Sequence, residues 1–168
     1  MALKASVGFD EGADSYVVGA NAAQGALKRL GADRADVAIV FASVQYNQEE
    51  MLAGVRSVTK DALVVGASTA GEITTEGPLS RHSVSVMLIH SDDMKFFGAV
   101  GEGIKEDARG AGKKAGDAVK ALAGEELKAF MMFPDVLVGN GADIVRGILD
   151  SLGEHFPVVG GAAGDDFK

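Results

Sequence analysis

Runs of apolar residues alternate along the chain with segments in which apolar residues recur every three or four positions. Short apolar runs bounded by turn residues predict buried strands, and the helical periodicity predicts amphipathic helices. The predicted strands are residues 3–9, 37–41, 62–65, 82–90, 95–100, 127–133 and 157–159. The predicted helices begin near Asp14, Asn47, Glu106 and either Asn140 or Asp143. This alternation of strands and helices predicts an α/β fold.

Two predicted strands in the middle of the chain interrupt this alternation. Between residues 82 and 90, serines alternate with valines and a leucine, which predicts a strand with one exposed face. The turn residues 91–93 follow, so the strand over 95–100 is expected to pair with this strand as a hairpin. The two strands together make the predicted sheet mixed.

The second half of the chain repeats features of the first half at a nearly constant shift of 92 to 94 positions. Val64-Val65-Gly66 returns as Val158-Val159-Gly160. Further matches are Val7-Gly8 with Val100-Gly101, Ala26-Leu27-Lys28 with Ala118-Val119-Lys120, Phe41 with Phe133, and Gly54 with Gly147. They predict a duplicated βαβαβ unit with pseudo-twofold symmetry, its copies at about 3–73 and 95–167 of a single domain spanning 1–168. A mixed sheet flanked by helices and two packed sheets are both compatible with this pattern, in three or four layers.

Composition narrows the classes of function. The net charge of −8 disfavours nucleic acid and membrane surfaces as partners. The absence of cysteine excludes disulfides, thiol nucleophiles and thiolate metal sites. No signal peptide and no apolar stretch near the roughly 20 residues of a membrane helix are present, so a cytoplasmic location is expected.

The duplicated fold predicts where a ligand would bind. Ligands of α/β sheets bind beyond the carboxyl ends of the strands, which here lead into segments 42–47, 66–72, 134–141 and 160–166. These segments supply glycine backbone, hydroxyl and amide groups, and carboxylates. The candidate ligand-binding residues are Asn47, Gly66, Ser68, Thr69, Gly71, Glu72, Asn140, Gly160, Gly161, Asp165 and Asp166. Donors for a carboxylate together with acids for an ammonium fit a small zwitterion such as an amino acid.

Each of these residues also has a purely structural interpretation. The glycines fit tight turns or close backbone packing, and Asn47 and Asn140 fit helix N-caps. Gly66 to Glu72 is not a P-loop, because Glu72 stands where lysine is required, and the nucleophile-elbow pattern is not met either. The three histidines, His82, His90 and His155, have no zinc-site spacing. No catalytic residue, metal ligand or cofactor is therefore predicted, and a non-enzymatic role is expected.

The two glycine-rich segments, Val65 to Ile73 and Pro157 to Asp165, and the spacing between them resemble the N-terminal half of the FIST domain, FIST N. The resemblance covers nearly the whole chain. It implies a sensory module of signal-transduction proteins that binds a small ligand, for which amino acids are the usual suggestion. It also implies a C-terminal FIST half and a signalling output domain or kinase as partners, so that the chain looks like part of a larger domain.

Three alternatives to ligand sensing stay open at this point. The chain could be a protein-interaction or scaffold domain. Some FIST-containing proteins resemble haem-dependent nitric-oxide sensors, and one of the histidines could then hold the iron. An enzyme would need a titratable pair in the cleft, for which Glu72 with Asp165 is the one candidate.

Overall fold

A computed structural model describes residues 3–74, 76–79, 81–135, 137, 139–162 and 164. The chain divides into two units, the first running up to Phe96 and the second beginning at Phe97. Both units combine strands and helices, which confirms the predicted α/β class. None of the helices in these described ranges has the length and apolar character needed to cross a bilayer.

The first unit is built around a four-stranded mixed sheet. Its elements are β1 (Leu3–Glu11), α1 (Ser15–Leu30), β2 (Val37–Ser43), α2 (Gln48–Thr59), β3 (Leu63–Thr69), a short hairpin of β4 (Ile73–Thr74) and β5 (Gly77–Pro78), and β6 (Ser83–Ser91). The strand order is β1-β6-β2-β3. β6 runs antiparallel to both of its neighbours, whereas β2 and β3 are parallel.

Both helices of the first unit cover the same face of this sheet. The core consists of small and branched side chains, because Val84, Val86 and Leu88 of β6 pack with residues of α1 such as Ala22 and Ala26. All five side chains are fully buried. On the opposite face the sheet is also apolar but less covered, with Val7 and its cross-strand partner Met87 about two-fifths exposed, at 40% and 36%.

The predicted hairpin between β6 and residues 95–100 is wrong, since the structure has no strand over that segment. The physical reason lies in the strand order. β6 is an inner strand whose two edges are already hydrogen-bonded to β1 and β2. A further strand therefore has no free edge of β6 to pair with. The prediction also placed the serines of β6 on an exposed face, whereas Ser83 is fully buried.

Helices α1 and α2 approach each other at two glycines. A Cβ atom at Gly19 would lie 2.2 Å from the Met51 carbonyl oxygen, and one at Gly54 would lie 2.1 Å from the Tyr16 carbonyl oxygen. Contacts this short are not seen for real Cβ atoms, so each glycine lets the facing backbone come closer than alanine could. The helix pair is thus held together by close backbone packing.

The second unit contains α3 (Ala108–Ala123), a 3₁₀ turn (Gly124–Glu126), β7 (Phe130–Met132), α4 (Gly141–Leu152) and β8 (Val158–Gly160). β7 and β8 form a two-stranded parallel sheet. Val119 of α3, Phe130 of β7, and Ile144 and Ile148 of α4 form its buried core. β7 is shorter than the predicted segment 127–133, and β8 has the predicted length but lies one residue later than 157–159.

Helices α3 and α4 of the second unit also approach each other at two glycines. A Cβ atom at Gly112 would lie 2.2 Å from the Ile144 carbonyl oxygen, and one at Gly147 would lie 1.9 Å from that of Arg109. Each of these four residues stands 93 positions after its counterpart in the first unit. This agreement supports the predicted duplication, which stays a prediction because the described residues of the second unit include no strand corresponding to β1.

Candidate functional site

β3 extends four residues further than predicted, and this changes the role of Gly66. The sequence placed the end of the strand at Val65 and a tight turn from Gly66 onward, whereas β3 runs to Thr69 and Gly66 pairs with Val40 of β2. Gly66 has φ +149°, and a Cβ atom there would lie 1.8 Å from the Val40 carbonyl oxygen. Close backbone approach was expected at this glycine, and the group it approaches is the neighbouring strand.

Gly160 likewise allows close approach to the neighbouring strand in the second unit. It has φ +152°, and a Cβ atom there would lie 2.0 Å from the Met132 carbonyl oxygen of β7. Gly161 follows with open space around its Cα, and its N–H donates to that same Met132 carbonyl at 3.3 Å. Packing between parallel strands accounts for Gly160 without a ligand.

The polar groups that do come together surround Glu72, just beyond the carboxyl end of β3. Thr69, the last residue of β3, donates its hydroxyl to Glu72 Oε1, and Ser83, the first residue of β6, donates its hydroxyl to Oε2. These two strands meet here because β6 runs antiparallel to β2, so its beginning lies at the end where β2 and β3 finish. The Glu72 carbonyl oxygen also accepts a hydrogen bond from Leu79 N–H at 2.9 Å, which ties the connecting segment to the same place.

Glu72 is a buried carboxylate, with only 7% of the residue exposed. Both of its side-chain partners are neutral hydroxyls, and no Lys, Arg or His within the described part of the chain forms an ion pair with it. A carboxylate offers about four lone-pair positions, of which the described residues use two. Among these residues, Glu72 therefore retains capacity to accept hydrogen bonds and has no compensating positive charge.

Tyr46 lies within the electrostatic reach of Glu72. Burial raises the pKa of the Tyr46 phenol, and the negative charges of Glu72, Asp10 and Glu11 raise it further, while its hydrogen bond to the Gly12 carbonyl opposes these effects. The hydroxyl donates to that carbonyl at 2.9 Å, and the ring stands against His82 with centroids 5.7 Å apart. Tyr46 is thus a neutral, fixed side chain near the buried carboxylate.

Asn47 caps α2 as its structural interpretation predicts. Its side-chain oxygen accepts from Glu49 N–H at 3.1 Å and Glu50 N–H at 3.3 Å, and its own N–H donates to the buried Ser15 hydroxyl at 3.1 Å. The free donors of this helix terminus are therefore already used in part, and two glutamates occupy the first turn. The α2 N-terminus does not favour a further anion.

The other predicted site residues are spread over both units. Ser68 pairs with Ala42 in the sheet and is half-buried, and Gly71 is exposed with φ +159°. Asn140 caps α4 in the second unit by accepting from Ala142 N–H at 2.9 Å. Asp165 and Asp166 lie outside the described residues. Of the eleven predicted residues, the structure joins Thr69 and Glu72 directly.

Sequence reasoning missed Ser83 and Tyr46 as members of this cluster. The signal for Ser83 was present, since it is the first residue of an alternating strand that follows the glycine-rich segment by a short loop. It could be read only with the strand order known, because that order puts the start of β6 beside the end of β3. Across the described residues no group of three or more His, Asp or Glu side chains is arranged to hold a metal ion.

Comparison with known proteins gives a strong match to one family and weak similarity to solved structures. Residues 36–168 match the FIST N domain family. An FtsZ mutant from M. jannaschii has a TM-score of 0.35 at 20% identity over 53% of this chain, and an empty FtsZ dimer from the same organism has 0.31 at 19% over 56%. The matched part spans only 27% and 33% of those FtsZ chains, and likeness at this level carries no argument about fold or function.

No curated protein matches the chain. The family match covers well over half of the sequence, including β2, β3, β6 and all of the second unit. It confirms the resemblance drawn from the two glycine-rich segments. The chain therefore belongs to the FIST N domain family, a family of sensory domains in signal transduction.

Proposed function

We propose that this sensory domain binds a small molecule with a protonated amine, such as an amino acid, at Glu72. The observation that carries the proposal is the burial of the Glu72 carboxylate beside two hydroxyls and without a described cationic partner. Taking an anionic carboxylate out of water is costly unless a positive group or several donors compensate it. A ligand ammonium would supply that charge and use the free lone pairs.

Glu72 also connects the ends of two strands to the segment that carries the β4–β5 hairpin. Its side chain contacts the ends of β3 and β6, whereas its backbone holds the segment that carries the β4–β5 hairpin. A ligand that changes the partners of Glu72 would therefore change how this segment is held. We infer that the change is passed to a C-terminal FIST half and from there to a signalling output domain or kinase.

Thermal unfolding against a panel of amino acids and their deaminated analogues tests the proposal. A site with Kd of about 100 μM gives about 2.7 kcal/mol of stabilisation at 10 mM ligand. For a chain of this size each kcal/mol raises Tm by roughly 2–4 °C, so the shift would be readily measured. The amino acid is expected to stabilise the protein more than its deaminated analogue does, because only the amino acid carries the ammonium that Glu72 would bind.

Two variants make the test specific to Glu72. Glu72→Gln keeps an oxygen that can accept from the hydroxyls but removes the negative charge, so the extra stabilisation by the amino acid over its deaminated analogue is expected to disappear. Glu76→Gln removes a charge from an exposed residue four positions later and should leave the shift unchanged. Equal stabilisation of wild type and Glu72→Gln, or no response to any amine, would contradict the proposal.

A protein-interaction function is the second candidate. The partly exposed apolar face of the sheet in the first unit favours it. Val7 and Met87 lie side by side on the face opposite α1 and α2, and Leu3 at the start of β1 is 57% exposed. Val7→Thr together with Met87→Gln would abolish binding to a partner seated there while leaving amine binding unchanged. Loss of amine binding in this double variant would argue against separate functions for the two places.

A further inference from the structure

A cavity of about 390 Å³ opens in the first unit at the amino ends of β2 and β3, the edge of the sheet opposite Glu72. Three short segments line it: residues 33–36 before β2, residues 58–62 before β3, and residues 94–96 after β6. The volume is in the range of cavities that hold small molecules. Its walls are apolar where Val58, Met94 and Phe96 contribute side chains.

The lining contains three cationic and three carboxylate side chains, the carboxylates being Asp33, Asp36 and Asp61. Arg34, Lys60 and Lys95 all border the cavity. Of the carboxylates in the lining, Asp36 is already engaged: its Oδ2 accepts from Ser91 N–H at 2.9 Å and lies 2.8 Å from His90 Nδ1. Arg34 reaches the other oxygen of Asp36 through Nη1 at 3.1 Å, and its side chain is 73% exposed, which leaves most of the guanidinium open to a ligand.

Lys60 occupies a backbone conformation that ordinarily belongs to glycine. It has φ 55° and ψ −112°, the first central position of a type II′ turn, which Ala62 N–H closes by donating to the Thr59 carbonyl at 3.1 Å. Within the described ranges it is the only non-glycine residue with positive φ. Strain of this kind persists only where the surrounding structure enforces the conformation, and it concentrates at functional sites.

The second unit has a glycine at the corresponding position, in a different backbone conformation. α2 and α4 are both twelve-residue helices that begin after a capping asparagine, and the residue after each helix donates its N–H to the carbonyl four positions earlier. In α4 this residue is Gly153, with φ 113°, and in α2 it is Lys60. Glycine is therefore compatible with this helix end, and the first unit carries a lysine there that borders the cavity.

We propose that this cavity is a second ligand site, distinct from Glu72, and that it binds a small carboxylate with an apolar body. Lys60 and Arg34 hold the carboxylate by charge-assisted hydrogen bonds, and the walls formed by Val58, Met94 and Phe96 receive the apolar part. Among the described residues, the Lys60 ammonium donates one hydrogen bond, to the Ser57 carbonyl at 2.6 Å, and two of its three donors are left for a ligand.

Two substitutions at one residue separate the strain from the charge. Lys60→Gly removes both, so Tm of the free protein should rise by about 2–4 °C while binding weakens at least about tenfold. Lys60→Met keeps the strained conformation and loses the ammonium, so binding should weaken equally without a gain in Tm. The probes are benzoate and hexanoate, and benzamide and hexanamide are their uncharged counterparts.

Binding is followed by thermal shift and by the backbone amide NMR signals of residues 33–36 and 58–62. The carboxylates should move these signals in wild type and the amides should not. A lower Tm for Lys60→Gly would overturn the proposal, since Lys60 would then serve the helix end. Equal responses to acids and amides, unchanged binding in Lys60→Met, or no response of wild type to either acid would overturn it as well. Because Glu72→Gln leaves this cavity intact, failure of the amine site and failure of this site are distinguishable.

Discussion

Replacing Gly54 by alanine should destabilise the first unit although it improves the helix itself. The added Cβ would lie 2.1 Å from the Tyr16 carbonyl oxygen and 3.0 Å from Ala20 N, both backbone atoms of α1. Ordinary contact begins near 3.4 Å, so α1 and α2 must separate by about 1 Å. Overpacking of this kind costs about 3 kcal/mol when only backbone can yield.

The helix propensity of alanine offsets part of that cost. Exchanging glycine for alanine in a helix interior gains about 1 kcal/mol, so the net loss of unfolding free energy is about 2 kcal/mol for Gly54→Ala. Gly25 in α1 is the matched control, because a Cβ there meets only the Gly8 Cα at 3.8 Å, an ordinary contact. Gly25→Ala should therefore be stabilising by about 0.5–1 kcal/mol.

Urea unfolding, monitored by far-ultraviolet circular dichroism, measures the free energy of unfolding of both variants under the same conditions. The two substitutions are chemically identical and both lie within helices, so the expected opposite signs isolate the contact between α1 and α2. If Gly54→Ala is as stable as wild type, or if both variants shift in the same direction, the close backbone packing of these helices does not govern stability as argued.

Three further changes test other parts of the structure. Gly66→Ala should cost about 3 kcal/mol or more in urea unfolding, because its Cβ would meet the Val40 carbonyl oxygen at 1.8 Å and φ is +149°, whereas Gly161→Ala, with open space, should change little. Ser83→Ala should cost about 1–3 kcal/mol at pH 7 by leaving the buried Glu72 carboxylate with one donor fewer, whereas Ser83→Thr should be milder. Burial works to raise the pKa of Asp36, but hydrogen bonds from Ser91 and His90 and the charge of Arg34 outweigh it and hold the pKa below 3.8. The stability that Asp36 contributes is therefore present above about pH 4 and is lost as pH falls through the lowered pKa, so Asp36→Asn should flatten the fall of Tm measured across that acid range.

The elements of this fold were largely predictable because their signals are local. The apolar periodicity placed all four helices, and Asn47 and Asn140 were predicted as caps that the structure confirms. The end of β3 was not predictable in the same way, since Gly66 reads as a turn signal until its partner strand is known. Its actual role depends on the carbonyl of Val40, a residue far away in sequence.

Only some of the residues that meet at the candidate site were predictable from the sequence. Thr69 and Glu72 lie three residues apart, so sequence alone could place them together. Ser83 joins them only because β6 enters the sheet between β1 and β2, a choice of strand order that no local pattern encodes. The same strand order leaves β6 without a free edge, so the predicted hairpin with residues 95–100 does not form.

That strand order also determines which parts of the first unit can form first. β1 has one hydrogen-bonded neighbour, β6, and the strand that lies beside it in the sheet begins only at Ser83. During synthesis, a chain that has emerged as far as β3 can pair β2 with β3 and pack α1 and α2, but β1 then has no strand to pair with. Closing the sheet waits for a contact between the two ends of the unit, and contacts so distant in sequence slow folding. Until then the backbone edges of β1 stay unpaired, so the emerging chain is most exposed to aggregation just before β6 is made.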